Sequence, residues 1–451
     1  MREILAELRR LAVLAVPLAL TQLGNMLLGI VDMLMLGRVG REALDAAALG
    51  NLWGFAIMTV GMGVVLGCDP FIAQAHGAGD GRALGLTLQR GVVLALLVSV
   101  PVMLLWTLAG PALVLLGQAP HLAEQAHDYL LAQLPGASAV FVYVAMRSYL
   151  QGRGITGPAL LVMIGANVVN VGLNYVLIFG ALGLPALGAV GAGISTGVVR
   201  LLMTVALAWI IFRQGLHIGA WVPWSRAALD RAALAAIAGV GVGIGFQLGL
   251  ELWAFQAAML FAGWLGDAPL AAYTIVLNIA SLSFMLPVGI AMAAVTRVGN
   301  LLGSERPREA ERAAWVALSL GAGVMLASAA LMYGLRHQLP ALFDADPEVY
   351  ALAIVSIPVT AAFQVFDGIQ VVGFGVLRAM GRTRNAALVN FVGYYAIALP
   401  VAYWLAFERG HGITGLWWGL TVGLALVASA LLAWIAARGP ATAGKISVEQ
   451  R

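Results

Sequence analysis

Charge and cysteine are what this chain has least of. Only 10% of its 451 residues are Asp, Glu, Lys or Arg, against 61% hydrophobic ones, and mean hydropathy is +0.93. No soluble core hides that much apolar surface, so the surrounding solvent is lipid and the protein is integral to a membrane. The single cysteine, Cys68, excludes an internal disulfide and a cysteine-held metal cluster, leaving a buried, inert thiol. The six histidines fall in loops or near span ends with no H-E-x-x-H pair, so a metal enzyme lacks its ligands. Glycine is abundant but not arranged for phosphate. Gly241, Gly245 and Gly249 recur every four residues and follow no strand, while QGRGITGP (151–158) has a G-x-x-G without Lys-Ser/Thr. These absences remove ATP as an energy source and leave no cofactor to expect. The net charge of +4 does not point to nucleic acid, because the basic residues are scattered through short loops rather than gathered in a stripe.

What is present is a series of long apolar runs. Punctuated by Gly, Pro and Arg, they predict twelve transmembrane helices over 11–36, 46–68, 91–116, 129–150, 159–182, 190–212, 232–265, 270–295, 313–335, 349–377, 386–407 and 413–437. The first run is longer than a signal-peptide core and has no small-residue cleavage site, so it is expected to remain as a span. With both termini inside, inner tails and loops, counting Arg147 at the inner end of its span, hold 20 Lys+Arg and outer loops hold four, Arg38, Arg41, Arg336 and Arg409; Arg200, the lone arginine well inside a span, completes the 25. That asymmetry obeys the positive-inside rule and predicts cytoplasmic termini in a multi-pass membrane protein.

The chain also repeats itself. Displaced by 227 positions, LQGRGITGPALLV (150–162) lies over LRAMGRTRNAALV (377–389), matching Gly154 to Gly381 and Thr156 to Thr383. A loop with Gln74, Gly77 and Ala78 overlies one with Asn300, Gly303 and Ser304 at 226. Matches at offsets that differ by a single residue indicate duplication of a six-helix unit. Six being even, both copies enter the membrane with the same polarity, related by an axis along the membrane normal. The expected fold is all-α, two pseudo-symmetric six-helix bundles at 1–215 and 232–451, joined by a cytoplasmic linker, 216–231, that carries Trp221, Pro223 and Trp224.

Three carboxylates, Asp32, Glu251 and Asp367, are stranded inside these runs, whereas the other eighteen of the 21 acids sit at or near span ends. A charge at membrane depth costs at least ~2.5–3.5 kcal/mol and is tolerated mainly where it faces a cavity, so each marks a functional site. The bland alternative is a protonated carboxyl bonded to a neighbouring helix. Nine residues have the chemistry to line a path for flat cations: Trp53, Phe55, Met58, Met62, Trp253, Phe255, Phe284, Met285 and Phe363. Any one of them is more often a core or lipid-facing side chain.

The order of several segments resembles one family. VDMLMLGRVGREALDAAAL in the first span, FIAQAHGAGD, RSYLQGRGITGP, NVVNVGLNY, ELWAF in the seventh span and FDGIQVVGFGVLRAMGRT in the tenth are similar to the multidrug and toxic compound extrusion (MATE) family. The seventh-span Glu251 with the tenth-span Asp367 resembles the NorM-like branch. The resemblance implies that Asp32 matches the first-span aspartate of an amino-terminal site, with Thr196 a further polar member. Asn170 and Asn174, one turn apart, are expected to present amide oxygens to it. One carboxylate plus neutral oxygens suits a proton relay or a dehydrated Na+, and interhelical hydrogen bonding is the structural alternative for the asparagines. Glu251 and Asp367 match the carboxy-terminal site of that branch. Where the branch often has a tyrosine four residues before the aspartate, this chain has Phe363. Na+ has three candidate positions, Glu251, Asp367 or Asp32.

The function implied is secondary active multidrug efflux, exporting organic, mostly cationic compounds in exchange for H+ or Na+ by alternating access, from a monomer in lipid. Rivals are a flippase or exporter of lipid-linked saccharides of the same superfamily, which wants a cationic cavity for phosphate, and another solute carrier or a channel. A membrane-embedded enzyme is opposed by the lack of a nucleophile, metal or cofactor constellation.

Overall fold

The computed structural model describes residues 2–343 and 345–446. Its architecture is all-α, with twelve helices long and apolar enough to cross a membrane: α1 (Arg2–Gly37), α2 (Arg41–Gly77), α3 (Gly81–Thr107), α4 (Pro120–Gly152), α5 (Gly157–Phe179), α6 (Gly188–Arg213), α7 (Arg231–Leu265), α8 (Asp267–Gly303), α9 (Pro307–Gly334), α10 (Pro347–Ala379), α11 (Thr383–Glu408) and α12 (Gly412–Thr442). The number agrees with the twelve runs. Several helices extend past them, because a backbone satisfied within its own helix continues readily beyond the hydrocarbon. Residues 68–77, expected partly as an inner loop, are helical, and so are Asn300 and Gly303. In α11 the backbone widens into π-helical turns at Val392–Ala398 and Trp404–Glu408.

The duplication appears in hydrogen-bond detail. After α4, Gly154 N–H donates to Gln151 at 2.8 Å and Ile155 N–H to Leu150 at 2.9 Å; after α10, Gly381 N–H donates to Arg378 at 2.8 Å and Arg382 N–H to Leu377 at 2.9 Å. Both glycines are left-handed, at φ +75° and +68°. The turns after α2 and α8 correspond likewise, except that Gly79 (φ +70°) is matched by Glu305 (φ +60°). A side chain in that region costs about 1–2 kcal/mol, partly offset by the extra freedom glycine has when unfolded. Glu305→Gly should therefore stabilise by about 0.5–1 kcal/mol. A melting temperature at or below the parent's in detergent would count against strain at this turn.

The chain forms two compact units. One comprises Thr21–Gly245 and the other residues 2–20 with Phe246–Ile446. These divisions fall inside α1 and α7, not at the 216–231 linker, and packing explains why. Early α7 lies backbone to backbone on α2: a Cβ on Gly241 would meet Val64, and one on Gly245 would meet the Val60 carbonyl. The start of α1 is fastened to α8, where a Cβ on Gly289 would strike Ala19 and Arg297 grips the buried Glu7 carboxylate at 2.5 and 3.0 Å. Leu11, Ala15 and Leu18 complete that core with residues of α8, α9, α10 and α12.

Candidate functional site

In the Thr21–Gly245 unit, α6 approaches its neighbours along a face of small residues. Gly191 leaves no room for a Cβ against the Leu177 carbonyl of α5, and Gly193 none against the Tyr129 carbonyl of α4. This close approach aims the next turn of α6 at α1. Thr196 Oγ1 donates to Asp32 Oδ2 at 2.9 Å. From α5, Asn174 Nδ2 and Asn170 Nδ2 donate to Asp32 Oδ1 at 2.6 and 3.1 Å. The four residues expected at the amino-terminal site thus come together around a carboxylate that is 4% exposed.

One expectation is corrected. The asparagines turn amide nitrogens, not oxygens, toward the acid, since a carboxylate can only accept. Asn170 Oδ1 is engaged by Asn174 Nδ2 at 3.3 Å, and Asn174 Oδ1 is buried without a hydrogen-bond partner. Three donors on two oxygens form a hydrogen-bonded cradle for negative charge rather than an oxygen cage.

The surroundings of Asp32 include Arg200, which the sequence marked as a deep charge, and neutral residues that it did not single out. Arg200, one turn beyond Thr196 on α6, acts electrostatically on Asp32 and donates to Gln133 Oε1 of α4 at 3.1 Å. Tyr129, one turn before Gln133, donates to Asn51 Oδ1 of α2 at 3.0 Å. The spacing Thr196/Arg200 and Tyr129/Gln133 was a usable signal, since i,i+4 pairs share a face. Arg147, counted with the inner loops, is instead buried in α4, donating to Gln22 at 3.2 Å.

In the other unit, Glu251 of α7 and Asp367 of α10 are both buried and interact electrostatically. Gln370 Nε2 lies 3.4 Å from Glu251 Oε2 and 3.1 Å from Asn390 Oδ1. Asn390 donates to the Gln247 carbonyl at 3.1 Å, and Tyr394 Oη to Gln370 Oε1 at 3.3 Å. The π-helical turn of α11 sends its adjacent tyrosines to different partners, Tyr395 Oη donating to the Leu250 carbonyl at 3.1 Å. Gln370, Asn390 and Tyr394 carry no charge and were not marked by the apolar runs.

Asp367 Oδ1 is buried without a hydrogen-bond partner, one turn from Phe363. Phe363 packs edge-on against Phe255 and Trp417, each at 5.9 Å between ring centres. It and Met58 are therefore core residues, while Phe55 and Trp253 are exposed.

Twelve spans folded into two units, each with buried acids among hydrogen-bonding helices, define a polytopic membrane carrier. The MatE family model matches residues 17–176 and again 244–404, the spacing at which the sequence repeats. The chain belongs to that family. It is 35% identical to the multidrug resistance protein NorM of Burkholderia vietnamiensis over 427 residues, covering 93% of this chain and 92% of the relative. It is 36% identical to the multidrug resistance protein PmpM of Pseudomonas aeruginosa, covering 93% and 89%. The crystal structure of the eukaryotic MATE transporter AtDTX14 aligns with a TM-score of 0.89 at 25% identity, over 97% of each chain.

Proposed function

We propose that this chain is a secondary active multidrug efflux transporter that exports organic, mostly cationic compounds in exchange for H+ or Na+ by alternating access. The observation that carries the proposal is the Asp32 cradle: a carboxylate withdrawn from water into a membrane unit and held by three neutral donors. Such a group binds one positive charge at a time. A carboxylate holding a proton or sodium has lost the attraction that a cationic drug needs, so loading one releases the other. Hydrogen-bond donors facing both oxygens hold Asp32 as a compact single negative charge for a proton or a drug cation to neutralise, whereas Glu251 and Asp367 supply the paired negative charge suited to a bulky cation or Na+. The relatives' names, multidrug resistance proteins, support the substrate class. A flippase of lipid-linked saccharides fits less well, because acids predominate at these sites.

The deciding experiment is dye efflux from reconstituted vesicles with separately imposed pH and Na+ gradients. Efflux driven by either gradient without ATP is the expected result. Transport that survived collapse of both gradients and stopped when ATP was removed would sink the proposal.

We also propose a monomer in the bacterial inner membrane with cytoplasmic termini, and 1–215 and 232–451 as the duplicated halves on either side of the 216–231 linker. With Cys68 replaced, Ser304→Cys should react with an impermeant thiol reagent only from the inner side. Labelling from outside intact cells reverses the orientation.

The two acids of the second unit should behave differently from Asp32. Glu251→Gln and Asp367→Asn are each expected to reduce transport of some substrates several-fold more than others, because a shared pair retains one charge when the other is lost. A uniform loss across a panel of cations would argue against a substrate-facing role.

A further inference from the structure

A guanidinium on a membrane-spanning helix is expensive, and it is kept where it has work to do. Arg200 has five N–H donors. Its side-chain hydrogen bond goes to Gln133 Oε1 at 3.1 Å, and its Cζ lies 6.0 Å from the Trp106 ring centre. Among the described residues no carboxylate oxygen comes within 4.0 Å of it. Asp32, the acid whose charge reaches it, already has both oxygens occupied by Asn170, Asn174 and Thr196. Gln133 is 2% exposed, and its Nε2 makes no hydrogen bond of good geometry, only a loose contact with the Tyr129 hydroxyl. Tyr129, the next polar group on α4, has given its proton to Asn51. Two sets of donors therefore lie together with only the neutral Tyr129 hydroxyl as a further acceptor, and with no carboxylate in ion-pair contact among the described residues. A buried donor left unmade is costly, and Arg200 lies deep in the unit while part of its side chain stays accessible.

We propose that Arg200 and Gln133 form an anion subsite that takes the carboxylate of an amphipathic cargo molecule, beside the acid site at Asp32. Guanidinium and carboxylate match as planar, forked partners, and the Gln133 amide supplies a further N–H. Asp32 and Arg200 are near enough to feel one another yet beyond ion-pair distance. That separation suits a zwitterion whose ammonium and carboxylate are themselves apart. The subsite rests on the efflux reading only in taking its ligand to be cargo.

The test is equilibrium binding to the purified full chain in phosphatidylcholine nanodiscs, which contain no anionic headgroup to fill the subsite. Two probes differ in one group: a rhodamine-type dye with a free carboxylate, and its methyl ester. Arg200→Gln should weaken binding of the acid by about tenfold or more and change the ester by less than about twofold. Arg200→Lys, a point charge without the fork, should fall between. If Arg200→Gln does not accumulate, Gln133→Leu should show an ester-sparing loss of about threefold. Equal loss of both dyes, loss of neither, or failure of the parent to bind the acid overturns the subsite. Binding needs no gradient, so a parent that binds the ester but does not export it under a gradient would refute the efflux reading separately.

Discussion

Asp32→Asn should reduce gradient-driven efflux to background while leaving the protein in the membrane at near-normal abundance. An amide cannot load and release a proton, and it attracts a cation far less than a carboxylate does. The shape of the cradle survives. Asn174 and Asn170 both donate to one oxygen, which the substituted amide retains, and the Thr196 hydroxyl can rotate to accept from the new N–H. The cost falls on Arg200, whose charge is no longer countered by Asp32, so a modest loss of thermal stability is expected beside the loss of transport. If the acidic side drives exchange, parent efflux rises as the outside is acidified, and this dependence should vanish in Asp32→Asn. The measurement is initial efflux rate at matched abundance across a pH series. Near-normal rates with an unaltered profile would move coupling to Glu251 and Asp367.

The acids of this protein were legible in its sequence because charge in an apolar run is conspicuous whatever surrounds it. Asn170 and Asn174 were legible as a pair, since four residues on a helix return to one face. Which end of each amide meets the acid was not, because that depends on Asp32 having only lone pairs to offer. Gln370, Asn390 and Tyr394 were invisible for a different reason. Neutral polar residues are common in spanning helices, and these meet across as many as 24 residues of chain and a π-helical turn. Arg200 was noticed as a deep charge, but its partner Gln133 lies 67 residues earlier. The twelve spans followed from composition, whereas the unit boundaries inside α1 and α7 depend on which glycine faces which backbone. No single-helix pattern carries that information.

Gly63→Ala should be among the most destabilising single methyl additions in the chain. A Cβ built on Gly63 would overlap the backbone of Gly245, and one on Gly67 would overlap the Ile237 carbonyl and crowd Gly241. From the other side, Gly241 and Gly245 admit nothing against Val64 and Val60. Two glycines four residues apart on α2 thus meet two glycines four residues apart on α7, the arrangement that lets helices in lipid gain attraction through close contact. Overpacking typically costs about 1–3 kcal/mol when side chains can yield. Here the obstacle is backbone, which cannot rotate away, so the cost should exceed about 3 kcal/mol. Gly165→Ala is the matched control, because nothing lies within 4 Å of its Cβ. That change should be neutral or stabilising by up to about 1 kcal/mol, as expected for alanine replacing glycine inside a helix. Thermal unfolding of the purified variants in one detergent compares them directly. Gly63→Ala melting within a degree or two of Gly165→Ala would mean that α2 and α7 separate easily, and that the glycine contact does not hold early α7 in its unit.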